Sequence, residues 1–247
     1  MGIDVVKGVV TFNPAHEGAV STSIVSNPKF KKIYMKGYGD GVFVYSIFAR
    51  MRTKHKGDGN PLIYALKKMK GFTISFKEII KFKANSKKIL AKISSHKNFA
   101  CDIILVMPSS SNVAGIFARF VGFVLKKEVV YDYFEKCTID EVLMSFNFNV
   151  VTKKDEEDVT GVLYTLHKMD GTKIFDLKEI NTSIRHYFQP LKINKKSVGR
   201  YVFDDKDILF IDDVLSSGTT LLNAHKLISS LPKKIIAITF LSDLYNY

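Results

Sequence analysis

The chain has 247 residues, of which 46% are hydrophobic, so it can bury a sizeable core. No apolar run is long enough to cross a bilayer, and the first residues lack the pattern of a signal peptide, which predicts a cytoplasmic protein with no membrane partner. The formal charge of +13 favours anionic partners, either phosphorylated small molecules or nucleic acid, although a lysine-rich surface also serves solubility.

The first 100 residues are predicted to contain short strands followed by helices. Residues 8–12 and 32–35 have the composition of strands, and residues 42–52 are predicted to be helical. The glycine-rich stretch 37–41 is predicted to be a turn, with a substrate loop as the alternative. Asn60 and Pro61 mark the start of a helix that ends at Gly71.

A long basic helix is predicted over residues 75–97, because apolar side chains recur there at helical spacing. Its lysines form either a solvated face or a patch for nucleic acid.

Residues 101–108 predict a buried strand, and a small polar turn follows, made of Ser109, Ser110, Ser111 and Asn112. A helix begins directly after this turn. A strand, a polar turn and a helix together form a common phosphate-binding arrangement, because the first backbone N–H groups of the helix point at the turn. The alternative is a simple helix cap.

The region from about 137 to 178 is long and mixed in composition. Residues 161–167 and 172–177 flank a turn-forming segment, which predicts a hairpin that could act as a lid. His167 is a candidate base on that lid, because histidine can exchange a proton near neutral pH. The charged block 153–158 is expected to be a solvated turn.

The most informative stretch begins with a second buried strand over residues 207–211 and continues into two carboxylates, Asp212 and Asp213. The turn that follows, and the start of the next helix, consist of Leu215, Ser216, Ser217, Gly218, Thr219 and Thr220. Hydroxyl groups and a glycine at the start of a helix suit a phosphate group. Adjacent carboxylates can accept hydrogen bonds from a vicinal diol or lie near Mg²⁺. The alternative is a buried strand and a helix capped by Ser217 or Thr219.

This stretch resembles the signature of type I phosphoribosyltransferases that binds phosphoribosyl pyrophosphate (PRPP). The resemblance implies that Asp212 and Asp213 hold the ribose hydroxyls and that residues 215–220 hold the 5′-phosphate. It also implies that residues 109–112 receive the pyrophosphate with Mg²⁺, although they lack the basic residue or glycine pair that many members have there.

A second resemblance concerns ComF-type phosphoribosyltransferases. Residues 62–71 are similar to the apolar helix with a basic end that these proteins carry near their N-terminus. Lys195, Lys196 and Arg200 would correspond to their anion-facing stretch before the PRPP motif. The four-cysteine zinc module of that family is missing, and Cys101 and Cys137 lack metal-ligand spacing, so no zinc is predicted.

Together these patterns predict an α/β fold with a parallel sheet, helices on both faces and a ligand site at the carboxyl ends of the strands. Residues 1–100 are predicted to form an N-terminal hood that selects the substrate, and residues 101–247 the core with its lid insertion. The predicted activity is Mg²⁺-dependent transfer of phosphoribosyl from PRPP to a nitrogen acceptor. The alternatives are a non-catalytic sensor of PRPP or nucleotides, and a regulator or effector associated with nucleic acid; a homodimer is compatible with each.

Overall fold

The computed structural model describes residues 1–34, 41–51, 60–228 and 231–242. Most of the turn predicted at 37–41 therefore lies outside the described residues.

Most strands are short, and three of them are nine residues long. The strands are β1 (Gly2–Val6), β2 (Val9–Asn13), β3 (Val20–Ser21), β4 (Lys29–Ile33), β5 (Val42–Arg50), β6 (Thr73–Ile74), β7 (Ile103–Val106), β8 (Glu128–Val130), β9 (Phe134–Lys136), β10 (Leu191–Ile193), β11 (Asp207–Leu215) and β12 (Lys234–Ser242).

The α-helices range from six to 19 residues. They are α1 (Pro61–Leu66), α2 (Phe76–Ser94), α3 (Val113–Leu125), α4 (Ile139–Ser145), α5 (Glu156–His167) and α6 (Thr219–Ile228). Short 3₁₀ turns occur at Phe148–Val150, Leu177–Glu179, Arg185–Tyr187 and Lys195–Ser197.

The central sheet has five parallel strands in the order β5-β12-β11-β7-β8. The short strands β3 and β4 pair antiparallel with the outer edge of β5. Two small sheets, β1-β2-β6 and β9-β10, lie outside the central one. The predicted α/β class with a mostly parallel sheet is confirmed.

Helices cover both faces of this sheet, because its central strands are apolar on both sides. In β11, Leu209 and Ile211 belong to a core cluster that also contains side chains of α1, α2 and α3. The alternating residues Ile208 and Phe210 belong to a second cluster, which contains side chains of α6. The prediction of helices on both faces is therefore also confirmed.

The chain leaves β7 and β11 in opposite directions. From β7 it passes through α3 to β8 at one edge, whereas from β11 it passes through α6 to β12 on the other side. Adjacent parallel strands whose connections diverge leave a crevice at their carboxyl ends, where α/β proteins bind ligands. The turns that follow β7 and β11 both lie at that crevice.

The predicted hairpin at 161–177 is wrong, since α5 spans Glu156–His167. Its buried residues Val159 and Leu166 are seven positions apart, which is helical spacing. Three carboxylates in its first turn stabilise the helix, because they lie at the positive end of its dipole. Helix α4 begins with a capping box between Thr138 and Glu141. Both helices contribute to a third core cluster, built from residues between Cys137 and Phe188. The insertion is a helical unit with its own small core.

The helix predicted at 42–52 is also wrong, because Val42–Arg50 is a strand whose side chains are buried on both faces. Its β-branched and aromatic residues suit a strand that is covered on both sides, a context that local periodicity does not report. The long helix predicted at 75–97 matches α2, and the helix predicted to begin at Asn60 and Pro61 is α1, which ends at Leu66, before the predicted end at Gly71. The division at residue 100 stays a prediction; β5, α1 and α2 take part in the main sheet and its core.

Within the described ranges, the structure contains no helix of the length and apolarity needed to span a membrane.

Candidate functional site

The two adjacent carboxylates lie inside β11, which continues past them to Leu215. Asp212 is paired across the sheet with Thr239 of β12. The two carboxylates have different contacts, which give them different electrostatic surroundings.

Asp213 lies at a junction of three segments on the face covered by α1, α2 and α3. Its Oδ2 accepts a hydrogen bond from Ser109 Oγ at 2.9 Å, which joins the turn after β7 to β11. The same oxygen is 2.6 Å from Lys67 Nζ, at the C-cap of α1. The Lys67 and Asp213 side chains are only 8% and 7% exposed, so this is a buried ion pair, held in place by a further hydrogen bond.

Asp212 has a weaker set of partners. Its Oδ1 accepts the backbone N–H of Asp213 at 2.8 Å. Burial, followed by the negative charge of Asp213, raises the pKa of Asp212 to about 7, against the smaller opposing effects of Lys67 and Lys136. The ionised form of Asp212 is therefore disfavoured relative to that of a free aspartate, and a cation that binds beside it would stabilise the carboxylate.

The turn between β11 and α6 is tight and contains a glycine that its backbone requires. Gly218 has a φ of +73°, and a Cβ at this position would lie 2.7 Å from Ile33 Cδ1, so only glycine fits without displacement. Ser217 Oγ and Thr219 Oγ1 are 2.9 Å apart, and Leu222 N donates to Gly218 O, which begins the helix. Ser216 and Thr220 are partly exposed at the same turn, whereas Leu215 is buried in the core below it.

The turn after β7 is the second component of the crevice. Ser111 N donates to Ser109 Oγ at 3.3 Å, and Ser110 is exposed. Ser111 Oγ is a buried atom for which the described structure provides no hydrogen-bond partner. Asn112 stands at the N-cap of α3 but its side chain makes no capping bond. The N-terminus of α3 consequently keeps hydrogen-bonding capacity that an anionic group could use.

Asp212 and Asp213 are the two carboxylates that could lie beside a magnesium ion arriving with a phosphorylated ligand, and such an ion stays a prediction. No group of three or more His, Cys, Asp or Glu side chains that could hold a metal occurs in the part of the chain that the structure describes. Mg²⁺ commonly takes only one or two carboxylates from the protein and completes its shell with water and substrate phosphates.

The sequence predicts both turns and the carboxylates but not the part played by two lysines, Lys67 at the C-cap of α1 and Lys136 of β9, whose charges act on Asp212. The available signal for Lys67 is its position directly after the apolar helix α1, as the first of the lysines that follow it.

Several other predicted residues are not brought to the crevice by any recorded contact among the described residues. His167 is exposed at the last position of α5. Lys195, Lys196 and Arg200 are exposed, and the Arg200 guanidinium lies 5.5 Å from the centre of the Tyr201 ring. Their anion-facing role stays a prediction.

Neither the protein-family models nor the curated proteins contain a match to this chain. Among solved structures, the chain is similar to the protein TT1426 from Thermus thermophilus, with 12% identity and a TM-score of 0.35 over 66% of this chain and 77% of that one. It is also similar to adenine phosphoribosyltransferase from Leishmania donovani, with 10% identity and a TM-score of 0.38 over 98% and 87% of the two chains. The adenine phosphoribosyltransferase from Leishmania tarentolae gives 9% identity and a TM-score of 0.38 over 98% and 95%. Likenesses at these TM-scores are too distant to assign a function.

Proposed function

We propose that this protein binds PRPP in the crevice between β7 and β11 and transfers its phosphoribosyl group to a nitrogen acceptor. The observation that carries the proposal is the hydrogen bond from Ser109 Oγ, in the turn after β7, to Asp213, in the strand that leads into the turn at 215–220. PRPP carries a phosphate at one end and a pyrophosphate at the other, so a site for it needs two anion-binding turns and a polar centre between them.

The turn at 215–220 would hold the 5′-phosphate. The first backbone N–H groups of helix α6 have no partner within the helix, and the ten-residue helix directs the positive end of its dipole at the same place, so an anion can bind there. Gly218 lets the backbone approach the phosphate closely, and the hydroxyls of Ser216, Ser217, Thr219 and Thr220 supply further donors. Asp212 and Asp213 would accept hydrogen bonds from the ribose hydroxyls.

The pyrophosphate would face residues 109–112 and the N-terminus of α3. This turn has no basic side chain of its own, and Lys67 is the cation that the fold brings against it, through their shared partner Asp213. Mg²⁺ bound with PRPP would neutralise the pyrophosphate and so make it a better leaving group. The same ion would favour the ionised form of Asp212.

In the transfer reaction, the acceptor nitrogen forms a bond to C1 of the ribose while the bond from C1 to the pyrophosphate oxygen breaks. The leaving pyrophosphate takes the bonding electrons, and the acceptor gives up a proton. The residues of this chain would act by holding the ribose and both phosphate groups in line, because positioning and charge stabilisation supply most of the rate in such a displacement.

A sensor that binds PRPP without turnover is the second candidate. It is favoured by the engagement of Asp213, whose carboxylate already accepts from Ser109 and is paired with Lys67. A carboxylate so engaged can hold a diol with its remaining lone pairs, but it is not free to accept a proton from the acceptor. A cytoplasmic location, a homodimer, the lack of zinc and the likeness to ComF-type proteins remain predictions in either case.

The decisive experiment combines calorimetric titration of Mg²⁺ and PRPP with an assay of pyrophosphate release in the presence of a panel of nucleobases. Release that depends on one base supports transfer, and binding without release of pyrophosphate supports the sensor. Asp212→Asn and Asp213→Asn should each weaken PRPP binding at least tenfold. Asp204→Asn, an exposed residue before the start of β11, is the matched control and should bind as the wild type does. Failure of the wild-type protein to bind PRPP would refute both candidates.

A further inference from the structure

A cationic and aromatic surface is built from residues that take no part in the crevice. It consists of Phe30, Lys32 and Tyr34 on and beside β4, together with Lys88 and Lys92 of α2, and is called here the α2/β4 surface.

Helix α2 contributes a row of lysines. Lys77, Lys81, Lys88 and Lys92 are spaced by four, seven and four residues, which places them on one face of the helix over about 22 Å. Glu78 is the one acidic residue of the helix; its carboxylate pairs with Lys81 and accepts the backbone N–H of Phe12. The row is therefore strongly positive at the end that contains Lys88 and Lys92.

The end of the lysine row that contains Lys92 lies beside β4. Lys92 Nζ donates to the carbonyl oxygen of Ile24, in the segment that leads into β4. Just past the end of α2, the ring of His96 is 4.9 Å from the ring of Phe30. These two contacts make the cations of α2 and the side chains of β4 neighbours on a single surface.

The strand contributes aromatic rings that are exposed instead of buried. Phe30 is 51% exposed, and it stacks on Phe43 at 5.7 Å with 25° between the ring planes, which fixes its orientation. Tyr34 is 63% exposed, and Lys32 Nζ lies 5.4 Å from the centre of its ring. Residues two apart on a strand share a face, so this edge presents a ring, a cation and a ring over about 13 Å.

We propose that the α2/β4 surface binds single-stranded nucleic acid. Charge complementarity selects a polyanion, because the lysine row faces solvent beside the strand. The exposed rings select an unpaired strand, because a base can stack on a side chain only when its face is free, whereas the bases of a duplex are covered by their neighbours. Phe30 and Tyr34 each offer one stacking face, and Lys32, Lys88 and Lys92 contact the phosphates between and beside the stacked bases.

The experiment measures fluorescence anisotropy of a labelled oligothymidylate and a labelled oligouridylate, with a mixed-sequence duplex of equal length for comparison. Between about 50 and 200 mM salt, the logarithm of the single-strand affinity should fall with a slope of about −2 to −3, as expected for three to four phosphate contacts. Tyr34→Ala should weaken binding about tenfold, the loss of one stacked base. The double variant Lys88→Gln, Lys92→Gln should reduce the slope by about 1.4.

The chain offers a matched control for each variant. Tyr164 of α5 is also 63% exposed and carries Lys168 Nζ at 4.0 Å from its ring centre, so Tyr164→Ala removes an equivalent pair from another surface. Lys153→Gln with Lys154→Gln removes two exposed lysines elsewhere. Both controls should bind the single strand as tightly as the wild type does. Asp212→Asn should also do so, which would show that the single strand binds to this surface and not in the crevice.

Three results would overturn the proposal. The first is the lack of single-strand binding at about 50 mM salt. The second is equal loss of affinity in the Tyr34→Ala and Tyr164→Ala variants, or in the two lysine pairs, which would indicate diffuse attraction by net charge. The third is binding of the duplex, or of vesicles containing phosphatidylserine, as tightly as the single strand. Because Tyr34, Lys88 and Lys92 are exposed, loss of folding is not expected, and circular dichroism of each variant checks this.

Discussion

Replacing Lys67 with methionine tests the electrostatic interpretation of the crevice most directly. Methionine keeps most of the length and the apolar stem of lysine but removes its charge, so it leaves the Asp213 carboxylate buried with Ser109 as its remaining recorded side-chain partner. Removing one partner of a buried ion pair typically costs about 3–5 kcal/mol. The hydrogen bond from Ser109 stays, so we expect a loss of about 3 kcal/mol in the free energy of unfolding at pH 7.

The assay is urea denaturation of the wild type, Lys67→Met, Asp213→Asn and the double variant. The double variant removes both charges, so it should be more stable than the sum of the two single losses predicts, by about 2 kcal/mol. Lys81→Met is the control, because the pair of Lys81 with Glu78 is exposed on the lysine side and should contribute less than about 1 kcal/mol. If Lys67→Met costs no more than Lys81→Met, or the two crevice substitutions are additive, then the reasoning is refuted.

Three further predictions concern the pH dependence, the turn and the insertion. The pKa of Asp212 is raised from 3.8 to about 7, so ionisation of this residue weakens the folded state as pH rises through this range. Asp212→Asn should therefore raise the free energy of unfolding by on the order of 2 kcal/mol at pH 8 and change it little at pH 4. An equal gain at both pH values would contradict this. Gly218→Ala should lower the free energy of unfolding by about 1–3 kcal/mol, because the residue has a positive φ and an added Cβ would contact Ile33. Gly161→Ala in α5, which has open space around it, should leave stability unchanged or raise it in the same urea denaturation assay. Val159→Ala should lower the stability of the insertion by about 2 kcal/mol, which would be measured as faster hydrogen exchange of the α5 amides. Unchanged exchange in α5 would argue against a separate small core.

Much of the motif half of the site could be predicted from local sequence. A buried apolar run, two carboxylates and a turn containing a single glycine specify a strand, a turn and a helix with little help from the rest of the chain, and β11, Gly218 and α6 agree with that prediction. The polar turn after β7 was predictable for the same reason. The strand continues further than predicted, through Asp213 to Leu215, because β12 pairs with it along that length.

Two predictions failed where local pattern and tertiary context disagree. The residues of β5 have a spacing that also suits a helix, and it is their burial on both faces between β4 and β12 that favours a strand. The segment that forms α5 was predicted to be one arm of a hairpin because it lies before a turn-forming segment, although its apolar residues recur at helical spacing. In both cases the choice depends on which partners cover the segment.

A polar turn after each of two buried strands could be predicted from local sequence, because strand, turn and helix preferences act over a few residues. The different partners of Asp212 and Asp213, and the buried ion pair between Asp213 and the distant Lys67, could not. Such a pair depends on how α1 packs on the sheet. A lysine at the end of an apolar helix has the same local sequence pattern whether it extends into solvent or is buried against a carboxylate, and the free energy that separates these outcomes comes from contacts that are distant in sequence.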